Sequence, residues 1–493
     1  RTNGPVLLVG ALAFALLVGA VAAARISPLG FVAFGLALVG LTGYVAMRWP
    51  RASLVIVVLS PMVDRYIVGD ILPPAIETMA HYLSEGMLIT VGAVITARAL
   101  IDGRAREALR TPVTVALTAF VAIGLISAVL NAVPPHVTAA GFAFTLDAAA
   151  LFFLPRFVGF SLPQLTRAVL TIVAIVFVAA VLAIGQAVLA PDILGLQPYR
   201  GRFGEGARLA SIFGDPNVFG AFLVAAVPFA LFMATHLATA RMRRLAGGLA
   251  FVLLLALWLS YSRGAWIAVV LGVGVVLAVV DRRALLLGAL VAVLTFGAAA
   301  ILPRNVLVAR NDQSVVEPPP LIDSTIDRVG AIGLGGDLRT LFMLNAIPIM
   351  RDHPVFGVGL GRYGGAVAMN LGTPVYERYG TDRLFWSPLQ RTVDNFWLHL
   401  LVEMGLLGFV AFLAAAVIPG LRILSSARHA TGWRRIMLGG TAAAAAGMAV
   451  SSLTTMLLEA NSIGFLFWFL LGVGSLVAIA SSTPEGPASA QST

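Results

Sequence analysis

Residues 246–280 read AGGLAFVLLLALWLSYSRGAWIAVVLGVGVVLAVV. Two apolar runs, 246–261 and 264–280, meet there at a tight Tyr261-Ser262-Arg263-Gly264 turn. A membrane-crossing helix takes about 20 mostly apolar residues, with a lower limit near 17; the two runs, of 16 and 17 residues, stand at that limit, and each reads as a span. The arginine between them is the feature that needs explaining.

Working outward, the same reading gives spans at 4–24, 29–47, 52–63, 86–101, 112–133, 137–161, 166–190, 217–239, 284–302, 393–421, 437–457 and 462–481. The run 52–63 is short and holds Pro61, which predicts a broken or re-entrant segment. The run 4–24 lacks a small-residue cleavage site and reads as a membrane anchor, not a removed signal peptide. The whole chain agrees: 59% of its 493 residues are hydrophobic, 11% are charged, and the mean hydropathy is +0.95. A soluble domain has roughly 45–50% apolar and about 25% charged residues. The expected fold is all-α, a polytopic transmembrane bundle of 12–14 spans with one large extracytoplasmic loop. Soluble, collagen-like and disordered classes are excluded.

The chain has no cysteine, which excludes thiol chemistry and disulfides. All 33 basic residues are arginine, so Schiff-base chemistry and a P-loop lysine are excluded too. In a soluble chain the net charge of +10 would point to nucleic acid; here it reads as positive-inside excess, and no nucleic-acid partner is expected. Arg48 and Arg51, then Arg104, Arg106 and Arg110, then Arg241, Arg243 and Arg244, then Arg282 and Arg283, then Arg422, Arg428, Arg434 and Arg435 all fall at span ends of one parity. Those ends are expected to be cytoplasmic, with both termini inside.

The opposite ends carry longer segments, 64–85, 191–216 and 303–391. The last has nine arginines against eight carboxylates and is expected to fold as a subdomain. Within it, Asp337–His353 has helical apolar spacing and predicts an amphipathic helix on the outer surface; 311–336, with Pro318-Pro319-Pro320, reads as irregular loop. The organisation is 1–190, N-terminal spans; 191–302, central spans with arginine-bearing external loops; 303–391, the large loop; 392–482, C-terminal spans; and 483–493, a disordered tail. No internal repeat is evident.

Charged groups inside a bilayer are functional candidates, because they must be paired or face a cavity. Asp147 and Arg156 in 137–161 qualify; Asp147 reads either as a functional group or as a structural tie, and Arg156 as a snorkelling side chain. At the outer mouth, Arg200, Arg202, Arg208 and Arg263 stand where arginine is disfavoured. Either each pairs with a nearby acid such as Glu205 or Asp215, or the cluster binds an anion. Guanidinium forks match phosphate oxygens, and an anion at that depth is most simply a lipid phosphate or pyrophosphate. Arg391 ends the large loop; Asp394 and Asn395 then open the next span, with Asn395, His399 and Glu403 spaced to share one helix face. Asp394 reads equally as a helix cap or as a base. His399 and Glu403 read as satisfying each other or as supporting the chemistry. No metal-ligand cluster is visible, so no metal and no cofactor are expected.

Four stretches together resemble a known family. Arg208 with Phe213-Gly214-Asp215-Pro216-Asn217 resembles the R…F-x-x-P-N stretch of the O-antigen ligase and O-antigen polymerase superfamily. Ser262-Arg263-Gly264-Ala265 resembles its S-R-G-A turn. His353-Pro354-Val355-Phe356-Gly357-Val358-Gly359-Leu360-Gly361 resembles its H-P-x-x-G-x-G-x-G signature. Asp394-Asn395 with Gly405 and Gly408 resembles the H-N-x9-G-x-x-G motif of lipopolysaccharide ligases, except that aspartate replaces histidine, which is more like the capsule and exopolysaccharide polymerases. The match covers about residues 200–410.

The resemblance implies transfer of a glycan from a polyprenyl (undecaprenyl) pyrophosphate carrier to a sugar hydroxyl, at the outer face of the bacterial cytoplasmic membrane and in company with other polysaccharide-assembly proteins. Arg208 and Arg263 would hold the pyrophosphate, and Asp394 would accept the hydroxyl proton, giving inversion without a metal. Asn395, Asn217, Arg202 and Arg391 would contact substrate, with His399 and Glu403 behind them; His353 would be structural. Polymerase is expected, with ligase as the alternative. A flippase of the same lipid would suit the many spans, but the polar groups gather at one mouth and no inverted repeat is visible. A non-catalytic assembly partner fits the outward arginines poorly.

Overall fold

The computed structural model describes residues 28–71, 83–189, 208–301, 310–311, 314–315, 338–384, 393–459 and 461–482. The expected span 4–24, the tail 483–493, and Arg200, Arg202, Glu205 and Arg391 lie outside them. The fold is an all-α polytopic bundle. Its N-terminal helices are α1 (Pro28–Arg48), α2 (Pro50–Ile71), α3 (Leu83–Ile101), α4 (Ala105–Leu109), α5 (Pro112–Leu130), α6 (Pro135–Leu146), α7 (Ala150–Val158) and α8 (Leu162–Val188). After Arg208 come α9 (Pro216–His236), α10 (Ala240–Leu259), α11 (Arg263–Val280) and α12 (Arg282–Ile301). The loop contributes α13 (Leu338–Asp352), α14 (Ala366–Leu371) and α15 (Pro374–Tyr379); α16 (Phe396–His429), α17 (Gly432–Ser451) and α18 (Asn461–Ser482) follow. At the start of 311–336, read as irregular loop, the described residues form a short hairpin of two residues a strand, Arg310–Asn311 against Ser314–Val315.

Among the described residues, eight helices are long and apolar enough to cross a membrane, and nine if the bent α6–α7 pair is one span. Every apolar run read between 29 and 481 falls on a helix or a broken helix pair. Three runs depart from the expectation. The segment 52–63 is not interrupted at Pro61: α2 continues through it, because the Ser60 hydroxyl donates to the Val57 carbonyl at 2.9 Å, the acceptor that the missing proline N–H would leave empty. The run 137–161 is two helices bent by 56°, with Asp147 at the joint accepting the Ala148 N–H at 2.5 Å. The run 393–421 breaks at Gly405, whose φ of 60° and ψ of −170° are not helical.

The bundle centres on α9, buried along most of its length. In lipid, helices gain little from apolar burial and associate by close packing of small residues. Accordingly, Gly439 and Gly440 of α17 face the rings of Phe232 and Phe229, and Gly447 faces Val224. A methyl at any of the three would overlap its partner.

The arginine-bearing ends meet one another. Arg98 donates to the Met47 carbonyl at 2.7 Å and Arg51 to that of Gly159 at 3.3 Å. At a second cluster His236 bonds Asp281, and Arg435 donates to the Val280 carbonyl at 2.7 Å.

The loop helices form a second small core of Phe342, Ala346, Ile349, Val358, Tyr363 and Tyr376 with Val393 and Val402. In α13, Phe342, Ala346 and Ile349 face this core, while Met343 and Leu344 are exposed. A helix is present where one was expected, but with Met343, Leu344 and Ile347 exposed its outward side is apolar as well, so the expected amphipathic pattern is absent.

The stretch His353–Gly359 crosses the break in α16. Val358 and Gly359 donate to the Val402 and Glu403 carbonyls at 3.1 and 2.9 Å; Leu406 and Leu407 donate back to Pro354 and Val355 at 2.9 and 3.2 Å. The broken helix thus regains its backbone partners from the loop. Gly357 (φ +67°) and Gly405 both sit left-handed, and a Cβ on Gly405 would lie 2.5 Å from Gly357 N. Ser127 and Asn131 at the end of α5 hold the same strip through the Phe356 and Gly357 carbonyls, at 2.6 and 3.0 Å. Gly357→Ala is expected to cost about 3 kcal/mol or more, because a strained φ and a backbone overlap add. Its melting temperature and folded yield in detergent check this.

Candidate active site

The segment entering α9 is built by local chemistry. Gly214 turns the chain at φ +64°, Pro216 fits the first helical position, and Asp215 Oδ1 accepts the Asn217 and Val218 N–H groups at 2.8 and 3.0 Å. Asp215 is therefore a cap. Asn217 Oδ1, freed from capping, accepts from Arg208 Nη2 and from Ser262 Oγ, each at 3.1 Å.

Arg208 also donates to the Tyr261 carbonyl at 3.2 Å and, through Nε, to that of Ser260 at 3.4 Å. Its guanidinium is thus braced on the turn that carries Arg263. Two segments separated by more than fifty residues meet here because Gly220 leaves no room for a Cβ beside Ala265 and Ser262. The Ser262 hydroxyl is spent on Asn217, so α11 starts without a side-chain cap. Helix N-termini of that kind attract anions. Tyr261 (φ +52°) and Ser211 (φ +51°) are two of three non-glycine residues with positive φ among the described residues. Such strain collects at functional segments, and here it flanks both arginines.

The opening of α16 reaches the same region. Gly264 lies against Thr454, and the Ser452 carbonyl, two residues earlier, accepts the Phe396 N–H at 3.0 Å. The turn 452–454 is thereby shared by the starts of α11 and α16. Asn395, not Asp394, caps α16: its Oδ1 accepts the Leu398 N–H at 3.0 Å. Asp394 stands just outside the helix, half exposed, 3.4 Å from Arg339 Nη2 on α13.

His399 and Glu403 are buried, and they do not satisfy each other: Nε2 and Oε2 are 3.7 Å apart. Both bind the backbone of Tyr363 instead. His399 Nδ1 donates to its carbonyl, and Glu403 Oε1 accepts its N–H at 2.7 Å. Tyr376 accepts the Gly364 N–H at 2.8 Å, and burial pushes both the Tyr363 and Tyr376 phenols up. For His353, burial, and then the Arg378 charge, hold the imidazole below its ordinary value, which suits a structural role. Arg156 lies over the Phe152 ring at 5.4 Å.

Of the site residues read from the sequence, Arg208, Asn217 and the Arg263 turn come together; Asp394 and Asn395 directly precede Phe396, whose N–H binds the neighbouring 452–454 turn, and His399 and Glu403 lie further along α16. Sequence reading missed Arg339 and Glu459. Glu459 is a lone carboxylate in an apolar stretch between two spans, and that isolation was the available signal. No group of three or more His, Asp or Glu side chains among the described residues has metal-holding geometry.

Fold and site together define a multi-pass helical membrane protein in which Arg208 is braced on the turn carrying Arg263. Residues 248–413, about a third of the chain, match the family model described as O-Antigen ligase, and this supports a likeness to the O-antigen ligase and polymerase superfamily. The family supports glycosyltransferase activity of the ligase or polymerase type, with a lipid-linked glycan donor in a membrane setting. The match spans Arg263, Arg339 and Asp394 and leaves Arg208 and Glu459 outside. No curated protein matches the chain.

Proposed function

We propose that the protein is a polysaccharide polymerase, moving a glycan from a polyprenyl pyrophosphate carrier to a sugar hydroxyl at the outer face of the cytoplasmic membrane. The observation that carries this reading is the Arg208 guanidinium braced on the turn that presents Arg263, beside the start of α16. Two guanidinium groups at an uncapped helix start suit a diphosphate.

In this reaction the acceptor oxygen bonds to the anomeric carbon as the bond from that carbon to pyrophosphate breaks. The electron pair leaves with the polyprenyl pyrophosphate, whose growing charge Arg208 and Arg263 neutralise. Asp394 takes the acceptor's proton, and attack opposite the leaving group inverts the anomeric carbon. Asn217 holds Arg208 in line. Asn395 caps the helix behind the base, and α13, with Arg339 beside Asp394, is the part of the large loop that would meet the glycan.

The test is to incubate purified protein with the lipid-linked glycan that accumulates in cells lacking it, and to separate products by size. A ladder on the lipid carrier is expected. Transfer to a different acceptor would make the protein a ligase, and glycan left unchanged would overturn the enzyme reading in favour of a flippase.

A further inference from the structure

Glu459 lies in the connection between α17 and α18 and is nearly buried. Its Oε1 accepts the Ala366 N–H at 2.9 Å, and its Oε2 stands 3.9 Å from His399 Nε2. Donation from Nδ1 to the Tyr363 carbonyl points Nε2 between the Glu403 and Glu459 carboxylates, where it has no hydrogen-bond partner. Three side chains from two elements therefore grip one short backbone strip, Tyr363–Ala366. The fit is tight: a Cβ on Gly365 would lie 2.6 Å from both Glu459 Oε1 and His399 Cε1.

The strip passes its position on. Gly364 (φ +76°) gives its N–H to Tyr376, and its carbonyl accepts the Val393 N–H at 2.9 Å. Val393 is the residue before Asp394. On the other side, Asn395 is fixed by its cap and by its own N–H on the Val393 carbonyl at 2.7 Å. Asp394 itself is half exposed, so its backbone is set largely by this strip and not by burial of its own side chain.

We propose that Glu459 is a positioning residue for Asp394, acting through the Ala366–Gly364 backbone and the Val393 N–H. The proposal rests on Asp394 being the base. A general base must stand within hydrogen-bond reach of the proton it takes, and a displacement of about 1 Å can cost about 100-fold in rate. Glu459→Ala removes the acceptor of a backbone N–H and loosens the strip, whereas Glu459→Gln keeps an oxygen for Ala366 and turns an amide donor toward the His399 lone pair.

The experiment uses the full chain in detergent or nanodiscs, with the lipid-linked glycan from cells lacking the protein as donor. In Glu459→Ala, exchange of the Val393 amide is expected to rise by about tenfold or more, with the Leu398 amide unchanged. Its kcat is expected to fall about 10- to 100-fold at nearly constant KM. Glu459→Gln should retain most of the rate. Gly365→Ala pushes the same contact apart from the other side and should copy Glu459→Ala, which keeps the test open if one variant folds poorly. In the Asp394→Asn background, Glu459→Ala should cause no additional loss.

Unchanged Val393 exchange in both loosening variants, a glutamine variant as slow as the alanine one, or additive losses in the double variant would each overturn the proposal. A normal rate in Asp394→Asn alone would instead remove the base assignment, while the exchange data would still report the clamp.

Discussion

Arg263→Ala is expected to slow glycan transfer by about 100- to 1,000-fold, the loss typical when one donor to a developing anion is removed. Arg263 occupies the first position of α11, half buried, on the turn whose carbonyls brace Arg208. That turn is held by Arg208 on the Ser260 and Tyr261 carbonyls, by Asn217 on the Ser262 hydroxyl and by Ser260 on the Ser262 N–H, none of which the substitution touches, so folding should be preserved. The measurement is single-turnover transfer, alongside thermal unfolding. Arg208→Ala should be as slow but also less stable, because the Ser260 and Tyr261 carbonyls lose their donor, at about 1 kcal/mol for each bond. Full activity with Arg263→Ala would remove that residue from the pyrophosphate site. An unfolded Arg263→Ala would make the arginine a structural one.

Asp394→Asn is expected to reduce kcat about 100- to 10,000-fold, the range ascribed to general-base catalysis, with donor binding retained. Carboxylate and carboxamide are nearly the same shape, so the substitution removes basicity and charge but little volume. A cap would respond differently: losing one costs about 1 kcal/mol. Since Asn395 performs the capping, Asp394→Asn should change stability by less than about 0.5 kcal/mol. Rate and melting temperature measured together separate the two roles. Turnover near that of the parent would leave Asp394 without a chemical part. His399 could not simply inherit it, because its ring is buried with Nδ1 committed to Tyr363.

Much of the site was legible because short motifs encode local backbone geometry. Gly214-Asp215-Pro216-Asn217 reads as a helix start, and it is one, with aspartate as cap and proline at the first position. Arg208 and Arg263 stood out because they fall at the span ends opposite the arginine-rich ones, where the positive-inside tendency disfavours arginine. Of Asn395, His399 and Glu403, read as one helix face, only His399 and Glu403 lie within α16, Asn395 being its extended cap, and the spacing is silent about their partners. Those partners are backbone groups of Tyr363, Gly361 and their neighbours in a loop strip, and nothing in helical periodicity reports them.

The sequence by itself determined that the chain is a bundle of apolar helices: only helices and closed barrels satisfy the backbone polar groups in lipid, and continuous apolar runs lack the alternation that barrel strands need. It also determined which ends of the spans share a side, since arginine marks one parity. Tertiary structure alone decided where helices break and continue: α2 survives Pro61 because a neighbouring hydroxyl replaces the lost bond, and α16 breaks at Gly405 because a loop strip supplies new partners. It alone decided that Glu459, far along the chain, grips the strip beside Asp394. Hydrophobic runs and caps act over one or two helical turns, so the sequence shows them. A hydrogen bond between residues about a hundred positions apart depends on how the whole bundle closes.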